Sequence, residues 1–172
     1  MRVEHKGQTY EVEFKKIVNK KYNKQVKKLF REYAEELEID LDFQDFEDEL
    51  NNLPGKYSPP DGLLTLAFLA NQSVGCIALR KISEEICEMK RLYVKREYRG
   101  FGIGRELVNI LIKEAKHLDY KFMRLDTIPS LVKAQKLYES FGFYDIEPYV
   151  YNPTEGARFM ELDLNSIELD NI

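Results

Sequence analysis

Six residues constrain this chain more than any others: Arg99-Gly100-Phe101-Gly102-Ile103-Gly104. They follow a strand-like run, Ile86 to Val94, and open an amphipathic, helix-like run from Ile103 to about Leu118. A glycine-rich turn at the start of a helix exposes several unpaired backbone N–H groups in one direction. Those donors and the positive end of the helix dipole together attract phosphate. Arg99 adds a permanent positive charge at the same mouth. The turn therefore predicts a ligand that carries a diphosphate.

The rest of the chain limits what can surround that turn. Its 172 residues, 44% apolar and 33% charged, fit one soluble domain with a sizeable core. No stretch has the length of an uncharged membrane span, and the first residues carry no apolar run of a secretory signal. The expectation is a cytoplasmic protein with no membrane partner. A net charge of −4 argues against a nucleic-acid partner. The basic residues between Lys15 and Lys28 read as a solvated helix face. Cys76 and Cys87 both lie in apolar runs and read as small buried hydrophobes rather than a disulfide. With His5 and His117 the only histidines, no Cys/His cluster is expected to hold a metal.

Periodicity supplies the element order. Thr9 to Val18 alternates and reads as a strand. Val26, Leu29, Phe30, Tyr33, Ala34 and Leu37 fall at helical spacing within 22–37. Phe43 to Leu50 fits a second short helix, and 51–62 is an Asn/Pro/Gly loop. Leu63 to Ala70, Val74 to Ile82 and the run ending at Val94 form an antiparallel meander, with one turn at Asn71-Gln72-Ser73. After the helix come a strand at 121–126, a helix at 130–140, and closing strands at 143–150 and 157–164. The expected fold is α/β in the α+β sense. One mixed, mostly antiparallel central sheet is flanked by helices, with acceptor-side helices at about 22–50 and a core at about 63–164.

Two common phosphate-binding designs do not fit. A nucleotide-triphosphate loop needs Gly-Lys-Ser/Thr, but Gly104 is followed by Arg105-Glu106. A dinucleotide fold needs a third glycine where Arg105 stands, and a parallel βαβ unit where the meander lies. What does fit is Arg/Gln-x-x-Gly-x-Gly/Ala, filled by Arg99, Gly102 and Gly104. Further on comes Ala134-Gln135-Lys136-Leu137-Tyr138-Glu139-Ser140-Phe141-Gly142-Phe143, an A-x-x-L-Y-x-x-x-G-F segment. With these two motifs and this element order, the chain resembles the GCN5-related N-acetyltransferase (GNAT) superfamily, which has the acyl-CoA N-acyltransferase fold.

The resemblance implies a set of roles. Arg99, Gly100, Phe101, Gly102, Ile103, Gly104 and Arg105 would face the diphosphate of acetyl-coenzyme A. The backbone of Leu92, Tyr93 and Val94 would hold the pantetheine arm as an added strand. Tyr138 would be the general acid for the departing thiolate, since an ordinary phenol stays protonated at neutral pH. Glu88 stands 11 positions before Arg99, matching the catalytic glutamate of histone-modifying members. In a regular strand, however, Lys90 shares its face. Glu88 is therefore either the general base or part of an ion pair with Lys90 or Arg91. Many members carry Asn seven residues before the tyrosine; here Leu131 holds that position, with Ser130 beside it.

The acceptor side reads less specifically. Asp40, Asp42, Asp45, Glu47, Asp48 and Glu49 would either attract a cationic amine or form a solvated acidic face. Tyr57 and Ser58-Pro59-Pro60 would form a rim, and Tyr149, Tyr151, Asn152 and Arg158 the opposite wall. The expectation is an N-acetyltransferase acting on a primary amine of a small molecule or peptide. The alternative is a non-catalytic acyl-CoA-binding or sensor module on the same fold. Exposed closing strands would allow a homodimer.

Overall fold

The structure is a computed structural model that describes residues 1–5, 7–37 and 45–168. Strands β1 (Arg2–His5) and β2 (Gln8–Lys16) form a hairpin, followed by helix α1 (Asn23–Leu37) and the short α2 (Phe46–Asn51). The meander is β3 (Leu63–Leu69), β4 (Gln72–Lys81) and β5 (Ile86–Val94). Then come α3 (Ile103–His117), β6 (Phe122–Thr127), α4 (Val132–Ser140), β7 (Tyr144–Ile146) and β8 (Arg158–Asp163). They build one sheet in the order β1-β2-β3-β4-β5-β6-β8-β7. The pairings are antiparallel except β5 with β6, which α3 joins as a crossover.

Alternation along β3 shows why the sheet has helices on both faces. Leu64, Leu66 and Phe68 pack with Val26, Leu29 and Phe30 of α1. Leu63, Ala67 and Leu69 pack with Leu107, Val108 and Leu111 of α3. A strand with both faces buried reads as a continuous apolar run.

Three local features differ from the sequence expectations. The β1 hairpin was not foreseen, because a four-residue strand with one buried side chain, Val3, has too little pattern to register. The β3–β4 turn is at Ala70 and Asn71, both at positive φ. This two-residue connection matches strand twist and starts β4 at Gln72. The expected strand at 143–150 is only Tyr144–Ile146 long. Pro148, which has no N–H to give a ladder, lies in the segment that leaves the sheet.

The feature that positions the site is a split between β5 and β6. Their parallel pairing covers only Ile86–Glu88 against Phe122–Arg124, although both strands continue. Just past the point where the ladder ends, β5 bulges. Lys90 pairs with Ala78 and Tyr93 with Cys76, so Arg91 and Leu92 together oppose Ile77. Arg91 sits at φ +59°, and such a bulge bends its strand. The buried Cys76 thiol donates to the Arg91 carbonyl at 3.3 Å. Cys76 and Cys87 are both free and buried, as expected of small core residues. No helix among the described residues is long and apolar enough to cross a membrane.

Candidate active site

A groove of about 700 Å³ runs through the split. Its lining includes Leu92, Tyr93 and Val94 of β5, Arg99, Gly100 and Gly102 of the turn, and Ile103, Gly104 and Arg105 of α3. Beyond Glu88, β5 has no strand partner on its β6 side. Of the ten residues expected to hold the cofactor, nine line the groove. Phe101 does not; it packs against the α3-side core.

Gly100 and Gly102 have φ of +87° and +78°, a conformation that side chains disfavour. At Gly104 the reason is different. A Cβ there would meet Val94 and Leu137 only at ordinary contact distance. The protein itself therefore leaves room for a side chain, and the space lies on the groove. Arg99 is already engaged: its Nε donates to the Val94 carbonyl at 2.8 Å and its Nη2 to Glu36 Oε2 at 2.7 Å. The Arg99 guanidinium holds the Glu36 carboxyl below its ordinary range, against the opposing effect of burial.

Tyr138 lines the groove and is almost fully buried, tilted against Phe143 at 5.9 Å between ring centres. Burial pushes its phenol well above the ordinary range. Leu131 and Ser130 both line the groove, so neither residue of that pair is excluded from ligand contact. Thr127 lines it too. Its hydroxyl oxygen is buried without a hydrogen-bond partner among the described residues.

A second cavity of about 460 Å³ lies beside the groove. Its walls include Asp45, Asp48, Glu49, Lys56 and Tyr57 from α2 and the following loop, and Arg80, Glu88 and Tyr151. Lys90 is the one residue among those described that lines both spaces.

A family model for the acetyltransferase (GNAT) family matches residues 23–143. The chain belongs to the GNAT family. An uncharacterized N-acetyltransferase of Dictyostelium discoideum is 37% identical to it, over 81% of this chain and 94% of that relative. A GNAT-family acetyltransferase of Staphylococcus aureus superposes with a TM-score of 0.76 at 23% identity, covering 90% of this chain and 99% of that one. The PaiA N-acetyltransferase of Thermoplasma acidophilum, solved with coenzyme A, superposes at 0.70 with 21% identity, covering 89% and 99%. The sheet and its flanking helices are thus the GNAT fold, and the chain is a GNAT N-acetyltransferase.

Within this GNAT site, Glu88 is fully buried and both its oxygens are occupied. Oε1 accepts from the Tyr149 hydroxyl at 2.8 Å, and Oε2 pairs with Arg80 Nε. Lys90 Nζ stands 4.0 Å away. Arg80, a residue the sequence reading did not consider, is the nearest cation. Arg91 belongs to Glu49 instead.

The expected acceptor walls are partly redrawn. Asp45 and Asp48 line the second cavity and are exposed, whereas Glu47 pairs with Arg31 and Glu49 is buried. Asp40 and Asp42 lie outside the described residues. Tyr57 is no rim residue: it is fully buried and donates to Glu49. Tyr151 lies at the second cavity and Asn152 at the groove, whereas Tyr149 meets the site through its hydrogen bond to Glu88. Arg158 is turned away, paired with Asp145 and Glu139. Tyr33, Glu36, Asp126 and Thr127 were missed, because nothing in a linear pattern shows which residues a strand split exposes.

Proposed function

We propose that this protein transfers an acetyl group from acetyl-coenzyme A directly to a primary amine of a small molecule or peptide. The observation that carries the reading is the groove through the β5–β6 split. It has the N–H-rich turn and the start of α3 at one end and Tyr138 along its wall. The coenzyme A bound by the Thermoplasma protein supports the same donor here. In this reading the diphosphate lies against the turn, and the pantetheine amides run along the open edge of β5. Tyr138 keeps its proton at all moderate pH values because burial disfavours the phenolate. It is thus in the correct state to protonate the leaving thiolate.

The second cavity supports a cationic acceptor. The charges of its buried carboxylates, Glu49 and Glu88, are met by Arg91, Lys56 and Arg80. Its exposed acids, Asp45 and Asp48, remain to draw a positive amine inward. The test is coenzyme A thiol release with acetyl-coenzyme A and a panel of amines. Polyamines and lysine side chains should turn over faster than neutral amines, and Asp45→Asn with Asp48→Asn should narrow that preference. Tight coenzyme A binding without transfer to any amine would instead support a binding module.

A further inference from the structure

Two carboxylates stand near the passage between the cavities, and they differ in what they have left to give. Glu88 has each oxygen engaged, by Tyr149 and by Arg80. Asp126 has one oxygen engaged. Its Oδ2 accepts from Asn152 Nδ2 at 2.8 Å. Asn152 is itself oriented, because its Oδ1 accepts from the Thr154 backbone N–H at 3.0 Å, which fixes the amide with its nitrogen toward Asp126. Asp126 Oδ1 has Lys90 Nζ at 3.9 Å, beyond hydrogen-bond length.

The location follows from the sheet. Glu88 pairs with Arg124, and there the ladder between β5 and β6 ends. Two residues on along each strand, Lys90 and Asp126 share the face of Glu88 and Arg124. They stand on opposite lips of the split. An amine entering the groove from the second cavity passes Lys90, the residue common to both spaces. The first carboxylate beyond it is Asp126, which lines the groove.

We propose that Asp126 is the catalytic proton acceptor for the incoming amine, and that Asn152 is its positioning residue. This rests on the acetyl-transfer reading above. The ammonium gives one N–H proton to Asp126. The freed nitrogen lone pair forms the bond to the acetyl carbon. The C–S bond breaks, its electron pair leaves on sulfur, and sulfur takes the Tyr138 proton. The nitrogen then loses its second proton, which restores the phenol through water, and Asp126 releases its own proton to solvent. Per turnover one proton is released and the thioester becomes amide and thiol. The titratable and charged groups within electrostatic reach of Asp126 include Lys90 on β5, Tyr33 on α1, Tyr138 on α4 and Tyr149 in the closing loop.

The experiment follows kcat and kcat/KM against pH with a saturating amine that the unmodified enzyme accepts. Asp126→Asn should lower kcat about 100-fold or more, leave coenzyme A affinity within about twofold, and abolish the acidic limb of the profile. Asp126→Ala should regain activity on adding formate, which refills the lost carboxylate. Asn152→Ala should retain the limb but displace it, with a smaller loss of kcat; it also decides the matter if the Asp126 variants fail to fold. An unchanged limb in Asp126→Asn or in Asn152→Ala, or no rescue of Asp126→Ala by formate, would overturn the proposal. So would Glu88→Gln losing the limb while Asp126→Asn keeps it. An unmodified enzyme that binds coenzyme A but acetylates no amine would instead overturn the acetyl-transfer reading on which it rests.

Discussion

Arg91 and Glu49 meet in a bidentate ion pair, at 2.9 and 3.0 Å, with both side chains almost completely excluded from solvent. The pair is a consequence of the bulge in β5. The left-handed backbone at Arg91 accompanies a guanidinium that lies between Tyr33 and Phe46 and reaches α2. Lys56 at 2.9 Å and the Tyr57 hydroxyl at 2.9 Å complete the ring around Glu49. The distorted strand that borders the groove is thereby tied to the helix and loop that wall the second cavity. Glu49→Gln leaves Arg91 buried without its counter-charge. The expected cost is about 3–5 kcal/mol, read as a lower midpoint in urea unfolding with an unchanged slope.

The same pair sets an acid limit. Burial alone would raise the Glu49 carboxyl, but the Arg91 guanidinium and the Lys56 ammonium outweigh it and hold the group down at about 2, against an ordinary 4.5. A carboxyl depressed in the folded state adds stability that is complete above its unfolded value and fades as pH falls toward its folded one. The window is therefore pH 4.5 to about 2, and the gap is worth about 3 kcal/mol. Urea unfolding across that range should show the loss, and Glu49→Gln should flatten it. An equally steep decline in the variant would assign the acid sensitivity elsewhere.

Glu36 reaches the groove from α1 and accepts from Arg99, the cation expected to meet the diphosphate. The Glu36 carboxylate and the diphosphate would compete for that guanidinium, and they repel each other. Glu36→Gln should therefore tighten coenzyme A binding. The pair is partly exposed, so the gain should stay near the 1 kcal/mol ceiling for such contacts, about two- to fivefold. Titration calorimetry with coenzyme A measures it; weaker binding would mean that Glu36 holds Arg99 in place for the ligand.

Thr127 offers a buried hydroxyl oxygen with no partner among the described residues, on the groove wall. An unsatisfied polar group lowers stability, and an apolar isostere removes that cost. Thr127→Val should thus raise the stability of the free protein by about 1 kcal/mol. If a pantetheine amide normally supplies the missing partner, KM for acetyl-coenzyme A should rise several-fold in the same variant. A gain in stability with unchanged KM would leave the hydroxyl without a role in binding.

The turn and most of the residues that line the groove were legible in the sequence because the pattern that marks them is local. Phosphate binding needs glycines, an arginine and a helix start within six consecutive residues, and a strand–turn–helix pattern registers over about 30. The segment that holds Tyr138 singled that residue out, and it lies on the groove wall. The second cavity depends on contacts between distant positions. Arg80 and Tyr149 converge on Glu88 from β4 and the closing loop. Glu49 looked like one acid in a solvated run, yet it is neutralised by a residue 42 positions away. The bulge itself leaves no trace in composition, because Arg91 adopts a conformation that glycine or asparagine would have advertised.

Tyr138 gives the sharpest test of the chemistry. It lies in the core stripe of α4 and on the groove wall at once, so a change there has both a structural and a catalytic reading. Tyr138→Phe separates them, since the ring contact with Phe143 remains and only the hydroxyl goes. If the phenol protonates the leaving thiolate, kcat should fall about 100-fold, while the thermal midpoint and coenzyme A affinity stay near their original values. The pH profile adds a second readout. Burial, helped by the negative charge of Asp126, raises the phenol above its ordinary value of 10. The donor then stays protonated past the pH at which an exposed tyrosine would ionise. Activity should persist through pH 10 without a falling limb from this group. A decline centred near 10 that disappears in Tyr138→Phe would show an ordinary, solvent-exposed phenol. Equal turnover in the two proteins would remove the acid role altogether.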